Sequence, residues 1–230
     1  MTLAPKLMLL AVTVLAVPPA LAEEHGAPPH ATAKAGPSAE AALADLKEGN
    51  ARFVAGRPNK GHQSLNRVKE VAKGQHPTAV ILGCADSRVP PEVIFDQGIG
   101  DLFVVRVAGN IAEPATDGSI EYAAEHLGVP LVVVLGHHKC GAVKATAEAA
   151  GPVEGNIGAL VREIRPAVEA AKAHPGKEGL VDTAVHENAA RAAAQLTAGS
   201  PLLRHLVESG KVKIVTAVYD LEAGTIEWGR

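Results

Sequence analysis

Four short runs dominated by Val, Ile and Leu recur along the chain: "TAVILGC" (78–84), "DLFVVRV" (101–107), "PLVVVLGH" (130–137) and "KVKIVTAVYD" (211–220). Segments of mixed polarity around 115–127, 140–150, 156–173 and 180–198 separate or follow them, each long enough for a helix. A β-branched run with almost no polar alternation implies a strand covered on both faces, the mark of a mostly parallel sheet flanked by helices. The pattern predicts an α/β fold with a central sheet of four to five strands, the fifth a short edge strand in "GTIEW", and no solenoid repeat. Ahead of the first strand, "AEAALADLKEGNARFVAG" places Leu43, Leu46, Phe53 and Val54 near one side of a helix that Ser38 is positioned to cap. "LNRVKEVAKGQ" predicts a second, shorter helix.

The N-terminus breaks this pattern. "MTLAPKLMLLAVTVLAVPPALAEE" carries one positive charge at Lys6, an apolar stretch from Leu7 to Val17, and Ala20-Leu21-Ala22 as an A-x-A cleavage signal. Residues 1–22 read as a secretory signal peptide; an uncleaved anchor is the alternative, but Pro18 and Pro19 end a run too short to span a bilayer comfortably. Residues 23–37, rich in Pro, Ala and Gly, read as a flexible tether, and 38–230 as one globular domain. The protein is expected to be exported: periplasmic where the source has an outer membrane, otherwise secreted. The formal charge of −3, or −4 without the leader, gives no reason to expect nucleic acid or an anionic membrane as a partner.

Export makes the two cysteines, Cys84 and Cys140, informative. In an oxidising compartment two thiols ordinarily pair, so a disulfide is the first reading. Yet each cysteine closes or follows a predicted strand, where the functional crevice of an open α/β sheet lies. His137 and Cys140 are separated by two residues in "LGHHKCGAV", a spacing that lets one turn grip an ion, and Cys84 can close the site from a neighbouring strand end. Two thiolates and an imidazole are a zinc donor set that leaves a fourth position open. Position alone does not separate His137 from His138 as the imidazole. Asp86 and Arg88 follow Cys84 by two and four residues; they are either a structural ion pair in the turn before "VPPE", or a carboxylate held ionised beside the metal.

"CADSR" followed, 56 positions after its cysteine, by "GHHKCGAV" resembles the β-class carbonic anhydrases, with their C-x-D-x-R and H-x-x-C signatures. The similarity runs from about Ser38 to the C-terminus and includes "NARFVAG", "RVAGNIA", "SIEYAAEHLG" and "AVYDL". The resemblance implies reversible hydration of carbon dioxide to bicarbonate, with one zinc ion per chain on Cys84, His137 and Cys140. It implies that Asp86 and Arg88 are the gating pair, with Asp86 as a fourth ligand when the site is shut. It further implies that Gln75 hydrogen-bonds substrate, that Phe103 and Tyr122 wall the apolar pocket, and that Gly141 offers a backbone N–H. In such enzymes several of these groups come from a partner subunit, so a homodimer or tetramer is implied, with N-terminal helices such as 38–55 wrapped across the partner. One departure stands out: members that close by binding bicarbonate at a separate pocket carry a tryptophan three residues before the first zinc cysteine. Here that position is Ile81 and the only tryptophan is Trp228; Arg106 remains compatible with such a pocket.

Two thiolates neutralise the metal's charge, so activity is expected to rise with pH above neutrality, the proton leaving by buffer or by His138. Three other readings stay open at this point: hydrolysis of carbon disulfide or carbonyl sulfide on the same fold, a non-catalytic zinc-stabilised binding module, and the disulfide. A dinucleotide-dependent dehydrogenase is excluded, because no G-x-G-x-x-G follows the first strand.

Overall fold

The computed structural model describes residues 36–174 and 176–229; the leader 1–22 and tether residues 23–35 lie outside the described residues. Ser38 accepts the N–H of Ala41 and starts α1 (Ala39–Val54), and Ser64 caps the short α2 (Leu65–Val71) in the same way. From there strands and helices alternate: β1 (Ala79–Gly83), α3 (Pro91–Ile94), β2 (Leu102–Arg106), α4 (Pro114–His126), β3 (Leu131–His137) and α5 (Gly141–Glu148). α6 (Ile157–Ala173), α7 (Leu180–Gly199) and α8 (Pro201–Glu208) then precede β4 (Lys213–Tyr219) and β5 (Ile226–Trp228).

The five strands form one sheet in the order β2-β1-β3-β4-β5, parallel except for the antiparallel β5 at one edge. β1 and β3 are buried along their whole length, as the unbroken apolar runs predict. Alternate residues divide between two layers. Val80, Leu82, Val132 and Val134 meet Ile120 of α4, Leu196 of α7 and Leu203 of α8. Ile81, Leu131, Val133 and Leu135 meet Leu46 of α1 together with Ile94 and Phe95. A third cluster, containing Cys84, Cys140, Ile164, Val185 and Val218, covers the carboxyl end of the sheet with α5, α6 and α7. Each fully buried aliphatic side chain in these layers contributes roughly 1.5–3 kcal/mol of transfer free energy, which is why the C-terminal rim can be held rigidly enough to carry chemistry.

The structure departs from the sequence pattern in four places. β2 is an edge strand within the chain, so Leu102–Val105 are only half-buried despite their apolar run. α8 was not predicted, although Ser200 caps Leu203 and Pro201 occupies its first turn. "VPPE" does not merely stop a turn: its second proline opens α3. Finally, the inner face of α1 is Ala42, Leu46, Gly49 and Asn50, flanked by Leu43 and Phe53, while Val54 is exposed. Gly49 explains the close approach, since a Cβ there would lie 1.9 Å from the Phe95 carbonyl oxygen. Asn50 fastens the contact by donating to the carbonyls of Ile94 and Gly224. α1 is thus seated on the chain's own sheet.

Candidate metal centre

The site is assembled where β1 and β3 end side by side. Gly83 pairs with Leu135, so Cys84 leaves β1 next to the last residues of β3. β3 ends on His137, and Lys139 then takes a left-handed backbone conformation (φ 54°), which turns the chain sharply enough to bring Cys140 back as the N-cap of α5. Asp182 holds this turn by accepting the Lys139 N–H at 2.9 Å. The two-residue spacing seen in the sequence works because Lys139 is held in a conformation that few side chains adopt.

One donor atom from each of Cys84, His137 and Cys140 lies within 4.8 Å of the other two, and all three residues are buried. The cysteines are free thiols with their sulfurs 4.0 Å apart. A disulfide needs about 2.05 Å, whereas a tetrahedral ion with metal–sulfur bonds of about 2.3 Å keeps its sulfurs about 3.8 Å apart. The imidazole fits the same purpose. His137 Nδ1 is 3.0 Å from the His138 carbonyl oxygen, to which it donates, so in the neutral ring Nε2 is the acceptor, and that atom is buried with no hydrogen-bond partner. A buried acceptor without a partner costs about 1–3 kcal/mol unless something binds it. The donor set therefore suits a thiophilic cation, and it is His137, not His138, that joins the thiols; the His138 ring lies against Asp182 instead.

The electrostatics agree. The Cys140 S–H donates to the Cys84 sulfur and draws the Cys84 thiol well below its usual range against the effect of burial, helped by His137 and the Gly109 N–H. The same hydrogen bond, burial and the neighbouring charge push the Cys140 thiol up. The pair gives up one proton readily and resists losing the second, and a divalent cation between the sulfurs removes that resistance.

Asp86 and Arg88 form a bidentate pair, Nε to Oδ1 at 2.9 Å and a terminal nitrogen to Oδ2 at 2.7 Å, and the Arg88 backbone N–H adds a third bond. The Arg88 side chain holds the Asp86 carboxyl well below the usual carboxylate range. Asp86 Oδ2 remains 3.8 Å from His137 Nε2, facing the donor cluster while engaged by arginine.

Three supporting residues were not singled out for these roles from the sequence. Arg106 donates to the carbonyls of Cys84 and Asp86, so its guanidinium is committed to the turn that carries both. Gly109 gives its N–H to the Cys84 sulfur at 3.3 Å; its φ of 76° and the Ile164 methyl that would lie 2.5 Å from a Cβ both require glycine. Asn188, nearly fully buried in α7, donates to the Gly109 carbonyl at 2.7 Å. Its signal was legible: Asn188 interrupts the alanine face Ala184, Ala192 of an otherwise apolar helix stripe, where a lone polar residue needs a partner.

Of the remaining expected residues, Gly141 adjoins Cys140, while Phe103, Tyr122 and Gln75 sit on other elements. Phe103 pairs in register with Val80, four residues or about 13 Å back along the strand from Cys84, and contacts Tyr122 with ring centroids 6.3 Å apart. Tyr122 is 47% exposed, and Gln75 is exposed in the loop before β1. Gly141 directly follows Cys140 at the start of α5, with open space beside its Cα. Ile81 is fully buried inside the sheet.

Comparison with known proteins is consistent with this site. The family profile described as "Carbonic anhydrase" matches residues 79–226. The chain is 46% identical over 187 residues to carbonic anhydrase 2 of Mycobacterium tuberculosis, covering 80% of this chain and 89% of that protein. Among solved structures it is similar to a Coccomyxa β-carbonic anhydrase in complex with acetazolamide, with a TM-score of 0.65 and 27% identity over 81% of this chain and 85% of that one. One of two tetrameric β-carbonic anhydrases of Sordaria macrospora gives a TM-score of 0.61 and 26% identity, covering 82% and 96% of the two chains.

Proposed function

This chain belongs to the β-class carbonic anhydrases, and from that premise we propose that Cys84, His137 and Cys140 hold its catalytic zinc while Asp86 and Arg88 control the position opposite them. The activity is the reversible hydration of carbon dioxide to bicarbonate and a proton. The observation that carries the assignment of ligands is the buried, partnerless Nε2 of His137 facing two thiols that are close but unbonded.

Zinc, when bound, supplies the Lewis acidity that makes water a nucleophile near neutral pH. The chain's own groups do the rest. Cys84 and Cys140 contribute two negative charges that neutralise the cation, and the His138 carbonyl fixes the His137 ring so that only Nε2 is a donor. Asp86, kept ionised and aimed by Arg88, accepts a hydrogen bond from the attacking water and directs its lone pair. Ile111 and Val143, packed in the same buried cluster as the cysteines, make the surroundings of the donors apolar. The product proton leaves by buffer or by His138, whose ring lies against Asp182.

The assembly is a homodimer or a tetramer in this reading. Its support is that Phe103, Tyr122 and Gln75 do not reach the thiols of their own chain, so pocket walls are supplied across a subunit boundary. Exposed Val54, Leu65 and Val68 on the N-terminal helices leave apolar surface for a partner to cover. Export, to the periplasm or the medium, rests on the leader 1–22. Among the described residues no helix is long and apolar enough to cross a membrane.

The test is metal analysis of the purified, reduced protein together with stopped-flow hydration of carbon dioxide. One zinc per chain, lost on replacing Cys84 or His137 with alanine, is the expected result. A zinc content that survives both replacements would move the metal elsewhere.

A further inference from the structure

The turn that follows β3 presents histidines to two different places. His137 joins the thiols, while His138, the next residue, faces away from them toward α7 and β5. There it meets His186, in the second turn of α7, and Glu227, the central residue of β5. Strand alternation explains Glu227: its neighbours Ile226 and Trp228 pack into the layer beneath α1, so the residue between them points to the α7 side.

The three side chains converge. One donor atom from each of His138, His186 and Glu227 lies within 4.8 Å of the other two. His138 Nε2 is 3.7 Å from one Glu227 oxygen and His186 Nε2 is 3.6 Å from the other. Both separations are too long for hydrogen bonds, which end near about 3.2 Å. They are a few tenths of an ångström beyond the about 3.3 Å expected between neighbouring N and O donors on a tetrahedral ion. The imidazoles meet edge-on with centroids 5.8 Å apart, so the rings do not stack and their nitrogens can share one centre.

A second carboxylate completes the pattern. Asp182 Oδ1 lies 3.4 Å from His138 Nδ1 and also takes the Lys139 N–H at 2.9 Å. That separation is just beyond a hydrogen bond, and it puts a carboxylate on the Nδ1 side of the ring, from which a metal-bound histidine is usually supported. A small cleft bordered by His186, Glu227, Ala189 and Val218 opens beside the cluster, with about 90 Å³ of room, enough for water to complete a coordination shell.

We propose that His138, His186 and Glu227 form a second metal site, for a divalent first-row transition-metal cation, separate from the centre on the cysteines. Two imidazoles and one carboxylate select zinc, nickel or copper over magnesium and calcium, which prefer all-oxygen shells. The ligands come from three elements, so a bound cation ties α7 and the sheet edge to the turn after β3. That turn also holds the carbonyl that orients His137.

The experiment uses the full-length protein with its catalytic zinc loaded and loosely held metal removed by gel filtration. Zn2+ alone is titrated in by calorimetry, with Mg2+ as the contrasting cation, and the melting temperature is followed in parallel. The expected result is uptake of a further equivalent of Zn2+ by the wild type, a rise in melting temperature, and no heat with Mg2+. His186→Ala and Glu227→Gln, both at partly or largely exposed side chains, are expected to weaken that uptake by about tenfold or more, and Asp182→Asn by about tenfold. His186→Ala and Glu227→Gln should still carry their catalytic zinc. No further uptake by the wild type, or an unchanged isotherm in both His186→Ala and Glu227→Gln, overturns the proposal.

Discussion

Asn188→Ala tests how the rim of the sheet supports the thiols. The side chain sits nearly fully buried in α7 and donates to the carbonyl of Gly109, a residue 79 positions away whose own N–H donates to the Cys84 sulfur. Truncation leaves the buried Gly109 carbonyl unpaired, a cost of about 1–3 kcal/mol. The small cavity where the amide was adds to this, so about 2–4 kcal/mol of destabilisation is expected in total. Because Gly109 touches a ligand, the loss should also appear at the metal, as about a 10- to 100-fold weaker zinc affinity. Urea unfolding at fixed protein concentration measures the first quantity, and competition against a chelator of known affinity measures the second. A stability change under about 0.5 kcal/mol would refute the accounting for the orphaned carbonyl. A large stability loss with unaltered zinc affinity would instead refute the link from α7 through Gly109 to Cys84.

Asp86→Ala should lower the rate of carbon dioxide hydration by about 100-fold or more while zinc content stays at the wild-type level, because the side chain faces the donor cluster without joining it. Retained activity with retained zinc would remove Asp86 from the chemistry. Thiol oxidation should depend on the metal: diamide is expected to couple Cys84 to Cys140 in chelator-stripped protein, whose sulfurs need only close a 4.0 Å gap, and to fail in zinc-loaded protein. Equal rates of thiol loss with and without zinc, read by mass spectrometry, would contradict it. Burial alone would push the Asp96 carboxyl up, but Arg52 and the backbone N–H groups of Asn59 and Lys60 together hold it below the usual carboxylate value. Its contribution to stability is therefore present at neutral pH and lost as pH falls below the unfolded value of about 3.9 toward the lower folded one. Asp96→Asn should be less stable than wild type at pH 7, with the gap narrowing below about pH 4; a gap independent of pH in urea melts would count against this.

Much was legible before any coordinates. Unbroken Val and Ile runs identify β1 and β3, because a strand buried on both faces has no position that tolerates a polar side chain. The local motifs were equally readable: Asp86 and Arg88 reach each other across one turn, and His137 and Cys140 share another, so short-range spacing alone brings each pair together. Pattern misjudged β2, since an apolar run does not announce whether its strand lies at the centre of a sheet or at the edge. It also could not choose between His137 and His138. Adjacent residues on a strand end point to opposite faces, and only the paired ends of β1 and β3 decide which face holds Cys84.

The chain's sequence by itself determined the fold class, from the order of apolar runs, and the two thiols and the carboxylate–guanidinium pair, from residue type and from signatures spaced along the chain. The tertiary structure placed His137 against the sulfurs, as the resemblance implied, and alone decided that Arg106, Gly109 and Asn188 brace them and that His138, His186 and Glu227 converge. These contacts join residues 22 to 89 positions apart in the chain, and such closures are set by how helices pack on a twisted sheet. No local rule of spacing encodes that packing.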